Sequence, residues 1–93
     1  MRIEELLKHD LEDAIFYLRV SELLIILPVM EVGADSEGKG ICLTLGEDET
    51  SYLNIWDDTT VKKVRRPANV IAEFEWCYLI EQNGTHIGYI GKK

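Results

Sequence analysis

The chain has 93 residues, of which 46% are apolar and 29% are charged, and its formal net charge is −7. These values predict one globular domain over residues 1–93 and exclude a disordered chain. The acidic charge argues against a nucleic-acid or anionic-membrane binder, because phosphate recognition normally rests on an excess of lysine and arginine.

The N-terminal stretch, residues 2–19, is predicted to form an amphipathic helix. Its apolar side chains recur at spacings of three and four, as in Leu11, Ala14 and Leu18. Asp10 with Asp13 indicates a second helix start and a kink near residue 10. His9 and Asp13 have the i,i+4 spacing that can bind a metal, but no third ligand is visible, so we interpret the pair as a surface feature.

The rest of the chain has the pattern of antiparallel strands. Strand signals lie at about 23–32, 41–45, 51–56, 59–66, 70–82 and 85–90. The first of these is apolar without alternation, so both of its faces should be covered. Pro28 within it cannot donate a ladder hydrogen bond and indicates an edge or a bulge.

The last two strand signals predict one long hairpin from Asn69 to Gly91 with a two-residue turn at Asn83-Gly84. Asn-Gly between apolar runs is the strongest local hairpin signal, because both turn residues need positive φ. That turn predicts the opposing pairs Gln82–Thr85, Glu81–His86, Ile80–Ile87, Leu79–Gly88 and Tyr78–Tyr89. The apolar face should include Trp76 and Phe74, and Gly88 should accommodate a bend or a large neighbour.

Together these elements predict an α+β fold. An N-terminal helix would be followed by a five- to six-stranded antiparallel meander, forming a strongly curved sheet or a small barrel. Helix followed by antiparallel strands occurs in Sm-like barrels and in small bacterial inhibitor or immunity proteins. No motif in this chain selects either group, and architecture alone does not define function.

Catalytic, cofactor and metal motifs are absent from the sequence, and we expect a non-enzymatic protein without a cofactor. His86 is explained by a cross-strand pair with Glu81. Cys42 and Cys77 are too few for a disulfide framework, so we expect two reduced, at least partly buried thiols. The acidic N-terminus does not resemble a targeting peptide, and a cytoplasmic location is expected.

The carboxylates in the loops suggest a partner-binding surface. In a meander, the 33–39 loop, the 57–58 turn and the 83–84 turn should share one end of the sheet. The expected partner-binding residues are Asp35, Glu37, Asp57, Asp58 and the adjacent Trp56. A solubilising surface explains these charges without a partner. The functional interpretation is a face that binds a basic protein, as an inhibitor or immunity factor would.

The single basic cluster gives an alternative function. It consists of Lys62, Lys63, Arg65 and Arg66. Beside Tyr52 and Trp56, it would suit a small-barrel nucleic-acid-binding module in which bases stack on aromatic rings. A charged edge strand that prevents edge-to-edge aggregation explains the same cluster with no ligand. With a net charge of −7, protein binding is the first hypothesis and nucleic-acid binding the second.

Overall fold

The structure is a computed structural model that describes residues 6, 9–34, 40–49, 51–56 and 59–93. The strands are β1 (Ile15–Val20), β2 (Leu23–Ala34), β3 (Gly40–Leu45), β4 (Ser51–Trp56), β5 (Thr60–Lys63), β6 (Trp76–Gln82) and β7 (Thr85–Lys92). They form one antiparallel sheet in the order β4-β3-β2-β1-β7-β6-β5. The sheet curls into a half-barrel, so the predicted strong curvature is confirmed.

The predicted helix over residues 2–19, and with it the α+β class, is wrong. None of the elements formed by the described residues is a helix, and Ile15–Val20 is a strand. The Asp10 carboxylate accepts a hydrogen bond from the Glu12 N–H (3.1 Å) and Asp13 has a φ of 70°, so the chain turns before β1. Residues 2–5, 7 and 8 of the predicted helix lie outside the described residues.

The misreading of β1 has a physical cause. Phe16 and Tyr17 point to opposite faces of the sheet, yet both are buried. A strand covered on both faces loses its period-2 alternation, and the remaining apolar positions then imitate a helical stripe. The β-branched and aromatic composition of IFYLRV is the strand signal that periodicity concealed.

Strand β1 joins two three-stranded halves of the sheet. It pairs with β2 along its whole length and with β7 from Ile15 to Leu18. The sheet formed by the described residues therefore has seven strands, where five or six were predicted. β2 carries a bulge between Val29 and Glu31, next to the irregularity expected at Pro28.

The main core fills the concave face of the half-barrel. Its members come from every strand and from the N-terminal segment, and the least exposed are Leu6, Phe16, Leu43, Ile55, Val61, Ile80 and Ile90. Because Leu6 and Leu11 belong to this cluster, the N-terminal segment supplies apolar surface that the curled sheet needs. Burial of such side chains is the principal term that stabilises a domain of this size.

A second, smaller layer covers the convex face. Residues 64–75, which we call the connecting loop, join β5 to β6, so the strands predicted at 59–66 and 70–82 are both shorter than expected. Phe74 in this loop packs edge-on against Tyr17, with the ring centroids 5.9 Å apart. Phe74 therefore lies on the face opposite to the one predicted for it, because the chain leaves the sheet before Trp76.

The predicted hairpin turn is confirmed, but the predicted register holds only beside it. Asn83 and Gly84 have φ of 52° and 76°, and Glu81 lies opposite His86. A β-bulge at Ile87 then shifts the pairing by one residue, so that Ile80 faces Gly88 and Tyr78 faces Ile90. The pairs Ile80–Ile87, Leu79–Gly88 and Tyr78–Tyr89 are therefore wrong, although Trp76, Tyr78 and Ile80 do share a buried face.

Candidate binding surfaces

The tip of the β1–β2 hairpin projects from the sheet. β7 pairs with β1 only as far as Leu18, and β3 pairs with β2 only from Val29. Residues 19–26, which we call the hairpin arm, therefore pair only within the β1–β2 hairpin, and β3 does not extend beside them. Large apolar side chains on both faces of the arm are exposed: Val20 (46%), Leu23 (71%), Ile25 (45%) and Ile26 (63%). A two-stranded ribbon with this composition has apolar surface that the described residues do not cover.

A groove of about 290 Å³ runs between the hairpin arm and the connecting loop on the convex face. It is lined by Tyr17, Glu22, Leu23, Leu24, Ile26, Ala68, Asn69 and Val70. Ile71, next along the loop, is 96% exposed. The groove therefore extends the apolar surface of the arm onto the body of the protein, with one carboxylate at its rim.

A larger hollow of about 540 Å³ lies at the base of the connecting loop, and we call it the charged hollow. Its lining is Lys63, Val64, Arg65, Arg66, Ala72, Glu73, Phe74, Glu75 and Trp76. The hydrogen bond from the Val64 N–H to the Cys77 carbonyl (3.0 Å) is where β5 and β6 last meet. Lys63 ends β5 just before this bond, and beyond it the chain separates into two walls, one carrying Arg65 and Arg66 and the other Glu73 and Glu75.

His9 attaches the N-terminal segment to the sheet beside this hollow. Its ring stacks on Trp76, with centroids 4.4 Å apart and planes 19° apart. Its Nε2 lies 2.9 Å from the Tyr78 hydroxyl, within hydrogen-bond distance. The surface role expected for His9 is wrong, since it packs against two aromatic residues about 70 positions away in the chain, and the helical pairing with Asp13 does not exist.

His86 is opposite Glu81 as predicted, but the expected side-chain pair is not the main contact of either residue. Glu81 Oε1 lies 3.0 Å from the Lys62 ammonium, and the His86 ring packs edge-on against Tyr89. His86 Nε2 is buried and has no hydrogen-bond partner among the described residues. Burial, and then the Arg19 guanidinium, lower the pKa of His86, against the opposing effects of a backbone hydrogen bond at Gly88 and of Glu81.

His86 should make the folded state less stable in mild acid. The pKa of His86 is lower in the folded protein than in the unfolded chain, so the unfolded chain binds the proton more readily. The contribution of neutral His86 to the free energy of unfolding is therefore fully present above about pH 6.5, the ordinary pKa of histidine. It is lost as the pH falls toward the pKa of the folded state. We expect the midpoint of thermal unfolding to fall between about pH 6.5 and pH 5, above the range in which most carboxylates titrate. His86→Gln should flatten that slope; an unchanged slope would contradict this account.

The expected partner-binding residues Asp35, Glu37, Trp56, Asp57 and Asp58, which we call the acidic rim, lie mostly outside the described residues. This holds for Asp35, Glu37, Asp57 and Asp58, so their clustering stays a prediction. Trp56, the fifth member, is half-buried and pairs with Gly40 on β3. Its backbone N–H donates to Thr59 Oγ1 (3.0 Å) and its carbonyl accepts from the Thr59 N–H (3.0 Å). The Gln82 side chain bonds both Asn54 and Thr59, so this corner joins the two edge strands β4 and β5.

The basic cluster is divided between two environments. Lys62 is on β5 and is paired with Glu81, whereas Lys63, Arg65 and Arg66 line the charged hollow opposite Glu73 and Glu75. All four are exposed. The predicted stacking partners Tyr52 and Trp56 lie on the other edge strand, β4, and not in this hollow. Lys62 and Lys63 are therefore on one edge strand of the sheet and the predicted stacking partners on the other.

Both cysteines are free thiols, as predicted. Cys77 is fully buried under the connecting loop, and Cys42 is half-buried on β3. Burial raises the pKa of Cys77 to about 12. Since the thiolate is the reactive species, Cys77 is chemically inert at neutral pH.

Neither a metal-binding cluster nor a membrane-spanning helix is present among the described residues. In that part of the chain, no group of three or more histidine, cysteine, aspartate or glutamate side chains is placed to hold a metal ion. Nor does any helix there have the length and apolar character needed to span a membrane.

Comparison with known proteins gives no relative. No protein-family model matches the chain, no curated protein shows significant similarity to it, and no solved structure matches it. Functional inference therefore depends on the surfaces described above.

Sequence reasoning missed the hairpin arm, the charged hollow and the role of His9. The arm was concealed by the helix prediction, because that prediction makes the turn at Ser21-Glu22 a link from a helix to a strand and not the tip of a hairpin. The hollow depends on where the chain leaves the sheet after Lys63 and returns at Trp76, and no local pattern encodes that distance.

Proposed function

We propose that this is a small, non-enzymatic protein that binds a basic protein through its hairpin arm. The observation that carries the proposal is the exposure of Leu23 and Ile26, which are 71% and 63% exposed on the part of β2 that β3 does not reach. Exposed apolar patches of this kind are typical of interaction sites. An inhibitor or immunity factor for a basic enzyme would fit the size and charge of the chain.

The basic character of the partner follows from charge. The chain carries 17 acidic and 10 basic residues, a net charge of −7, so its long-range field attracts cations and repels anions. The arm itself contains one cation, Arg19, and one anion, Glu22, and so does not oppose that field. We therefore expect apolar contacts at the arm to supply affinity and the overall charge to raise the association rate.

The alternative, nucleic-acid binding, has weaker support. Lys62 is already paired, and the other three cations share a hollow with two carboxylates. Retention on a heparin or DNA column that falls steeply with salt would favour it, because such binding releases condensed counterions.

The test begins with the intact tagged protein, captured from its source cells with its partner and identified by mass spectrometry. Leu23→Ser/Ile26→Ser should lower affinity for the purified partner by about tenfold or more, since truncating interface anchors typically costs over 1 kcal/mol each. Tyr52→Ser, an equally exposed residue on β4, is the control and should leave affinity unchanged. The association rate should fall with added salt.

Two further measurements test whether a second copy of the chain covers the hairpin arm and whether Asp57 and Asp58 belong to the interface. Light scattering on the isolated protein should show a monomer; a dimer abolished by Leu23→Ser/Ile26→Ser would mean that a second copy covers the arm, and would overturn the proposal. Asp57→Asn/Asp58→Asn tests the expected acidic rim: a slower association rate would support its use, and no change would restrict the interface to the arm.

A further inference from the structure

We propose that the charged hollow is a binding site for a small amphoteric molecule, one that carries an anionic group, a cationic group and an apolar or aromatic body. The hollow lies at the base of the connecting loop and is separate from the hairpin arm. Its two walls have opposite charge, and its remaining lining includes Phe74, which is half-buried, and Trp76, which is only 9% exposed.

The dimensions of the hollow suit a small molecule. Its volume of about 540 Å³ is within the usual range of ligand sites, roughly 300–1,000 Å³. The charged side chains of its two walls are also too far apart to form ion pairs with each other. Within the described residues, no nitrogen–oxygen distance of 4.0 Å or less joins Lys63, Arg65 or Arg66 to Glu73 or Glu75.

The walls are held apart by the fold. The basic wall is fixed where the Val64 N–H donates a hydrogen bond to the Cys77 carbonyl (3.0 Å). The acidic wall is fixed where the Glu75 N–H donates to the Lys92 carbonyl (2.7 Å). The aromatic lining is supported from behind, because Phe74 packs on Tyr17 and Trp76 stacks on His9. The Lys93 ammonium lies 5.9 Å from the Phe74 centroid. A site with a fixed shape loses less entropy on binding than a flexible one.

The charges select the class of ligand. A molecule with negative charge alone would be attracted by Arg65 and Arg66 but repelled by Glu73 and Glu75. A molecule with positive charge alone would be attracted by the two glutamates and repelled by the two arginines. An amphoteric ligand can place its anionic group toward the guanidinium groups and its cationic group toward the carboxylates, so that each contact is a charge-assisted hydrogen bond. Its apolar body would then lie against Phe74, the half-buried ring of the lining.

Three probes that share a phenyl ring test this directly. ¹⁵N-labelled full-length protein at neutral pH would be titrated into the millimolar range with L-phenylalanine, phenethylamine and 3-phenylpropionate, which carry both charges, the cation alone and the anion alone. We expect L-phenylalanine to shift amide resonances at residues 63–66 and 72–76. Its dissociation constant should be about fivefold lower than that of either analogue, as expected for one additional modest contact.

Exposed-charge variants assign the two walls. Glu73→Gln/Glu75→Gln should weaken L-phenylalanine and phenethylamine about fivefold and leave 3-phenylpropionate no weaker, whereas Arg65→Gln/Arg66→Gln should weaken L-phenylalanine and 3-phenylpropionate. Glu22→Gln, a charge change at the other groove, is the control and should have no effect. Absence of shifts with all three probes, or equal binding of all three, would overturn the proposal; so would tighter binding of either singly charged probe.

Discussion

Gly88→Ala is expected to lower the free energy of unfolding by about 3 kcal/mol, at the upper end of the cost of overpacking a core. A Cβ atom at Gly88 would meet the backbone carbonyl oxygen of Tyr17 and would lie 3.0 and 3.1 Å from two carbon atoms of the Phe16 ring. The first neighbour is main chain in a paired strand, so it cannot move without disturbing the β1–β7 ladder. A loss of this size is a large part of the roughly 5–15 kcal/mol that a domain has.

Gly33→Ala is the matched control for Gly88→Ala. Gly33 also lies in a paired strand, but no atom comes within 4 Å of the position its Cβ would occupy. Its replacement should change stability by less than about 0.5 kcal/mol. Urea unfolding followed by fluorescence gives both values. Equal midpoints for the two variants would show that β1 can move away from β7 at little cost, which would contradict the structure.

The role of Gly88 shows how far sequence reasoning reached. The expectation that this glycine accommodates a large neighbour is confirmed by the Phe16 ring, and the Asn83-Gly84 turn is confirmed by two positive φ angles. Both rest on backbone chemistry that a single residue type reveals. The bulge at Ile87, one residue earlier, was not predicted, because nothing local distinguishes it from a regular strand position.

The errors share a different cause, which is burial on both faces of a strand. Tyr17 is covered on the convex side by Phe74, a contact across 57 positions in the chain. A strand with one exposed face has alternating apolar and polar residues and is recognisable from its sequence. β1 is buried on both faces, so apolar residues also occupy the convex positions, and the resulting pattern imitates a helical stripe. The strand pairs that the meander predicted correctly are β2 with β3, β3 with β4, β5 with β6 and the turn end of β6 with β7. The meander also pairs β4 with β5, which is wrong, because these two strands lie at opposite edges of the sheet.

The candidate sites also depend on contacts between residues that are far apart in the chain. The acidic rim was inferred from composition and rests on Asp35, Glu37, Asp57 and Asp58, which lie outside the described residues. The charged hollow contains three of the four basic residues that were singled out, Lys63, Arg65 and Arg66. It sets them opposite Glu73 and Glu75, which lie within the strand predicted at 70–82. Only the path of the connecting loop brings these groups together.

Trp76→Ala is expected to be more destabilising than Trp56→Ala. Trp76 is only 9% exposed, belongs to the main core and stacks on His9, so its removal leaves a cavity and detaches one contact of the N-terminal segment. Truncating a buried tryptophan typically costs about 3–5 kcal/mol. Trp56 is half-buried, and the contacts it makes at its corner with Thr59 are through its backbone. We expect its truncation to cost about 1 kcal/mol.

Urea unfolding followed by circular dichroism measures both variants without depending on the tryptophans themselves. The cost of Trp76→Ala includes the cavity, the lost ring contact with His9 and any loosening of the segment that carries Leu6 and Leu11. Trp76→Phe separates these terms, because a phenyl ring can still stack on His9 while leaving a smaller cavity. Its midpoint should lie between those of the wild type and Trp76→Ala. Equal midpoint shifts for Trp76→Ala and Trp56→Ala would mean that Trp76 does not anchor the concave core, and that the N-terminal segment is held to the half-barrel by other residues.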